Sequence, residues 1–187
     1  MLKKIPYSHI DTITRRYKLS EAAKAILVNT LTPEQAITAL VNAKLYNDAV
    51  QFIAHALPVM EAILWATESL TLRSEQWSEL EHHAIDSAKN WLKKPNETLR
   101  IRASQLAERV GLESAPAWVA KAVYWSGTGS IVAPELPTVM PPAFLYAHSV
   151  AATITIAAAV PQWAEGDMGY QEFYLKVINK GLAIAKG

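Results

Sequence analysis

No cysteine occurs in the 187-residue chain, which excludes disulfide frameworks, thiolate zinc sites, iron-sulfur clusters and thiol catalysis together. Any metal would have to be held by histidine and carboxylate side chains. Glycine is scarce at seven residues, and no GxSxG nucleophile elbow is present. The stretch Gly127-Thr128-Gly129-Ser130 lacks both the lysine and the length of a phosphate loop. Excess charge of one sign is missing as well. Eighteen basic and seventeen acidic side chains leave a formal charge of +1, so no global field draws the chain to nucleic acid or to an anionic membrane. Nothing reads convincingly as a strand, and no 34-residue period persists through the sequence. The apolar run of an export signal is missing behind Lys3 and Lys4, and behind Arg15-Arg16, so a cytoplasmic protein is expected.

What is present is helix. Hydrophobic residues make up 51% of the chain and charged ones 19%, enough for one domain that buries roughly 70% of its unfolded surface. Ser20 precedes the run 21–28. Thr32, Pro33 and Gln35 have capping-box spacing ahead of a helix ending near Ala43. Leu45, Ala49, Phe52, Ile53 and Ala56 keep helical spacing until Pro58, where a new helix should run to about Leu72. Ser74 reads as a further N-cap, with Trp77, Leu80, Ala84, Ala88 and Trp91 along one stripe. Pro95 can open the next helix and Gly111 end it, and Ser114 with Pro116 can start another that stops at Gly127. The run 142–160 is apolar on nearly every side, and 167–185 is amphipathic. At about 19 residues, 142–160 approaches membrane-spanning length. Tyr146, His148, Ser149 and Thr153 within it, its alanine content and its lack of basic flanks favour a buried central helix instead. The expected fold is all-α: an irregular bundle of about eight helices around a central alanine-rich helix, forming one domain over 20–187. Residues 1–19 form a basic arm that can dock or stay mobile.

Charge comes in blocks. Residues 1–24 hold six basic and two acidic side chains, 61–88 one basic and six acidic, and 89–109 six basic and two acidic. Such blocks either neutralise one another across helices or orient a protein contact. Glu79, Glu81, His82, His83 and Asp86 are the densest group of possible metal ligands, but His82 and His83 point about 100° apart on a helix and no HExxH spacing occurs. No metal or other cofactor is expected, and no catalytic residue is assigned. A polar line of Tyr146, His148, Ser149 and Thr153 marks the place where a small-ligand or enzyme pocket could lie beside the central helix. Core hydroxyls that satisfy neighbouring groups would explain the same residues.

The segment 127–141 stands out as long, apolar and rich in proline. Prolines hold such a loop extended, and loops of this length without secondary structure are often functional. Trp125, Gly127, Gly129, Val132, Leu136, Val139 and Met140 are the candidate partner-binding residues. They either cover a groove of the bundle or remain available to another chain.

Four stretches together resemble an uncharacterised family of short all-helical bacterial proteins. They are Tyr17-Lys18-Leu19-Ser20-Glu21-Ala22-Ala23, the segment from Ala54 to Ala66, Tyr124-Trp125-Ser126-Gly127, and the proline-rich loop leading into the alanine-rich helix. Departures occur at Val59-Met60, where basic residues are more usual, and at Thr128, which lengthens the glycine stretch. Genes of that family often lie near those for type VI secretion spike and effector-loading proteins. The resemblance therefore implies a non-enzymatic accessory or adaptor role with a protein partner such as an effector, adaptor or spike component.

Overall fold

The computed structural model describes residues 2–161 and 166–187, so positions 162–165 of the expected domain lie outside the described residues. The described chain is all-helical. In order, α1 spans Asp11–Thr14, α2 Glu21–Ile26, α3 Pro33–Asn42, α4 Tyr46–Ala56 and α5 Val59–Leu70; a 3-10 turn follows over Thr71–Gln76. Then come α6 Glu79–Lys93, α7 Glu97–Val110, α8 Ala115–Tyr124, α9 Leu145–Ala158 and α10 Tyr170–Lys186. These ten α-helices among the described residues exceed the eight or so expected, partly because α1 follows Ile10, which offers no side-chain cap to announce it.

Side-chain caps mark four helix starts, at Ser20, Thr32, Ser78 and Asn96. Ser20 accepts a bond from the Ala23 amide at 3.0 Å. Thr32 and Gln35 exchange both capping-box bonds, at 3.3 and 2.9 Å, which satisfy amides the helix leaves free. α7 and α10 start later than expected, at Glu97 behind an Asn96 cap rather than at Pro95 and at Tyr170 rather than at 167, and two further starts differ more. Ser74 falls inside the 3-10 turn, where Arg73 leaves helical geometry at φ −132°, ψ 35°; the cap of α6 is Ser78, whose partner Glu81 closes a second capping box. Trp77 therefore precedes α6 and donates its indole N–H to the Leu70 carbonyl at 2.9 Å. Pro142 does not begin α9 either. Phe144 sits in the left-handed region at φ 61° and α9 starts after it, while the Arg16 guanidinium lies 4.4 Å over the Phe144 ring.

The core is built round α9. This helix packs on α8, α4, α5 and α10, and it buries Ala147, Val150, Ala151, Ile154, Ala157 and Ala158. Its small side chains let neighbouring backbones come close, as interior packing density requires. A second close approach joins α10 to α5: a Cβ on Gly181 would lie 2.8 Å from the Trp65 ring, and the Trp65 indole donates to the Val177 carbonyl at 2.8 Å. Residues 2–19 lie on the bundle, with Leu2, Ile5, Ile10 and Ile13 buried and the Lys4 amide bonded to the Ala185 carbonyl at 2.9 Å. Among the described residues, no helix is long and apolar enough to cross a membrane.

Candidate interaction site at the proline-rich loop

α8 ends at Tyr124 with Trp125 as its C-cap, and Gly127 takes φ 85° as the chain leaves the helix. A side chain there would be strained, because the left-handed region crowds Cβ. The chain then passes directly over α7. Gly129 comes so near that an added Cβ would lie 2.6 Å from a Glu97 carboxylate oxygen and 2.7 Å from Arg100 Nε.

Arg100 is the anchor of the loop. Its side chain is fully buried and distributes its donors over two chain segments and one carboxylate. The guanidinium bonds the Tyr124 carbonyl at 2.8 Å, the Ser130 carbonyl at 2.7 Å and both Glu97 oxygens at 2.6 and 2.7 Å. It also lies 4.7 Å over the Tyr124 ring. The planar fork allows this convergence, which a lysine ammonium would not reproduce. Its bonds to Glu97 hold that carboxyl below the usual carboxylate range and raise the basicity of Arg100.

Beyond this clamp the loop organises itself. The Ile131 amide donates to the Val139 carbonyl at 2.8 Å, closing the base. Ser130 Oγ accepts from the Val132 and Val139 amides at 3.3 and 3.2 Å. At the tip the Leu136 amide returns to the Ala133 carbonyl at 3.0 Å, with Pro134 in the second turn position, where its fixed φ suits a β-turn. These bonds pair the amides of Ile131, Val132, Leu136 and Val139 and leave the side chains outside. Leu136 is 57% exposed, Val139 47% and Met140 48%, while Val132 is half-buried.

Aromatic side chains stand at the foot of the loop. Trp125 is half-buried, with its ring 6.4 Å from that of Trp118 and 6.5 Å from that of Tyr124. Lys121 lies 5.2 Å from the Tyr124 ring centre and 5.8 Å from that of Trp125, and it is held by Ser104 and Glu108. Partly exposed Trp and Tyr beside exposed aliphatics match the composition of interface centres. The sequence pattern pointed to Trp125 and the loop residues but missed Arg100, Glu97, Ser130 and Trp118. A faint signal for Arg100 exists: with Ser104 and Ala107 it occupies positions i, i+4 and i+7, and all three are buried.

The other candidate groups are arranged differently. Tyr146, Ser149 and Thr153 commit their hydroxyls to main-chain carbonyls, donating to Leu57, Leu145 and Ser149 at 3.2, 3.1 and 2.9 Å. His148 lies at the surface, edge-on to buried His55 with ring centres 4.5 Å apart. His55 Nδ1 donates to the Gln51 carbonyl at 2.8 Å, and burial pushes the imidazole pKa down to about 4 despite that bond. Of the acidic and histidine group on α6, Glu81 bonds Ser78 and Ser114, and Asp86 pairs with Lys89 at 3.0 Å. Among the described residues no three histidine or carboxylate side chains converge at metal-binding distance.

The profile of a family of unknown function, DUF6931, matches residues 36–185, which include the loop, its arginine clamp and the central helix. No curated protein and no solved structure matches the chain.

Proposed function

We propose that this chain, which belongs to the DUF6931 family of unknown function, is a non-enzymatic cytoplasmic adaptor that binds another protein and serves effector loading in type VI secretion. One observation carries the binding reading: Leu136, Val139 and Met140 are held outward on a loop whose backbone is fixed by Arg100 and Ser130. Exposed aliphatic side chains cost solubility unless a partner covers them. A loop that is already ordered loses little conformational freedom on binding, so more of the apolar contact appears as affinity. The secretion context rests on the sequence resemblance, and the partner it implies is an effector, adaptor or spike component.

Affinity purification from the native host at several salt concentrations tests this. The wild-type chain should retain a stoichiometric protein of that kind, identified by mass spectrometry, and the triple variant Leu136→Ser, Val139→Ser, Met140→Ser should lose it. Recovery of the wild-type chain alone, or equal retention by the variant, would contradict the reading.

A further inference from the structure

The six arginines of the chain divide four to two. Arg15 pairs with Asp11, Arg16 holds the His55 carbonyl and Tyr7, Arg73 holds the Met168 carbonyl, and Arg100 clamps the loop. Arg102 and Arg109 have no hydrogen-bond or ion-pair partner among the described residues, and both line the same cleft of about 570 Å³ between α6 and α7. The two acidic residues of the 89–109 block are already committed, Glu97 to Arg100 and Glu108 to Lys121. Asp86, the carboxylate in the cleft, is held by Lys89.

Arg102 and Arg109 stand seven residues apart on α7, so their Cα atoms lie two turns or about 10 Å from each other along the axis. Gln105 and Asn90 offer amide groups between them, and Leu106 contributes an apolar patch to the lining. A peptide in the polyproline II conformation presents side chains three residues apart on one edge, about 9 Å from each other. Two carboxylates at that separation would meet the two guanidinium forks in charge-assisted, two-pronged bonds.

We infer that the cleft between α6 and α7 is a second docking site, for an extended partner segment that carries two carboxylates three residues apart. The inference rests on reading the chain as a protein binder, and it assigns a separate surface from the loop. Arginine donors give the site its sign, and their seven-residue separation on one helix gives it a register that a single charge would not have.

Titration of the isolated protein, followed by backbone amide NMR, tests it with three probes: acetyl-Glu-Pro-Pro-Glu-amide, its Gln-Pro-Pro-Gln counterpart, and inorganic phosphate. The acidic peptide should shift resonances within 83–90 and 102–109, with an affinity that falls as salt rises. Arg102→Ala and Arg109→Ala should each weaken binding at least about fivefold, with unchanged circular dichroism, while Lys18→Ala should not alter it. Absence of shifts at millimolar peptide, equal binding of the glutamine peptide, or insensitivity to both arginine variants would overturn the site. Phosphate shifting the same resonances as strongly would also overturn it, in favour of a small-anion site. Because synthetic peptide and isolated chain are used, the result is independent of whether the loop captures a partner.

Discussion

Two apolar stretches follow one another in the chain and end in opposite environments. Residues 145–158 become α9, buried against four other helices, whereas 131–140 remain at the surface with Leu136, Val139 and Met140 exposed. Apolar composition does not separate them. The difference is in how each satisfies its backbone. α9 closes its own N–H and C=O groups within the helix and can go dry, even the buried hydroxyls of Ser149 and Thr153 returning to main-chain carbonyls. The loop carries Pro134, Pro137, Pro141 and Pro142, which cannot donate, and it relies on Arg100, Ser130 and a short β-bridge-like contact from Ile131 to Val139. Burial is the default fate of an apolar segment with a self-satisfied backbone, and display requires a separate anchor.

The sharpest way to expose that contrast is matched truncation. Ile154→Ala in α9 should cost about 3 kcal/mol, because it leaves a cavity in a fully packed core, while Leu136→Ala in the loop should change stability by less than about 0.5 kcal/mol. Urea denaturation of the two variants measures both. Comparable losses would mean that the loop is part of the core.

Removing the anchor should produce the next largest effect. Arg100→Ala leaves the Tyr124 and Ser130 carbonyls without their buried donor, a loss of about 2 kcal/mol. Amide hydrogen exchange at Ile131 and Val139 should speed up far more than exchange in α9. The reverse pattern would separate the clamp from the loop.

Acid tests the other face of α9, where His148 meets His55. The folded-state pKa of His55 is lowered to about 4, so between its ordinary value near 6.5 and 4 the unfolded chain binds more protons than the folded one. Stability should therefore fall as pH drops through that window, with a slope of up to about 1.4 kcal/mol per pH unit from this residue. His55→Phe should flatten that part of the pH profile; an unchanged slope would place the acid sensitivity elsewhere. A smaller effect is expected at the loop crossing, where Gly129→Ala should cost about 1 kcal/mol by pressing Cβ into the Glu97 and Arg100 side chains. Thermal denaturation would show it, and a neutral result would mean that the clamp has room to move.

What the sequence made legible was local. The Thr32 and Gln35 capping box, the break at Pro58 and the positive φ at Gly111 and Gly127 follow from residues within a few positions of each other. The α6 start was misread because two serines four residues apart both precede helical spacing, and only Ser78 has a glutamate at the third helical position to close the box. At the onset of α9, the left-handed Phe144 is covered by Arg16 from more than a hundred positions away, a contact that no local pattern announces. The same holds at the candidate site. Its apolar, proline-rich character can be read directly, but the buried role of Arg100 depends on carbonyls 24 and 30 residues downstream, and within a basic block it looks like one more solvated charge.

Site-specific photo-crosslinking in the native host tests partner contact most directly, with a photoreactive residue placed either at position 136 on the loop or at position 28, where Val28 is equally exposed at 56%. The account predicts a discrete protein adduct from position 136 and none of the same mass from position 28. No adduct from position 136, or the same adduct from both, would contradict it.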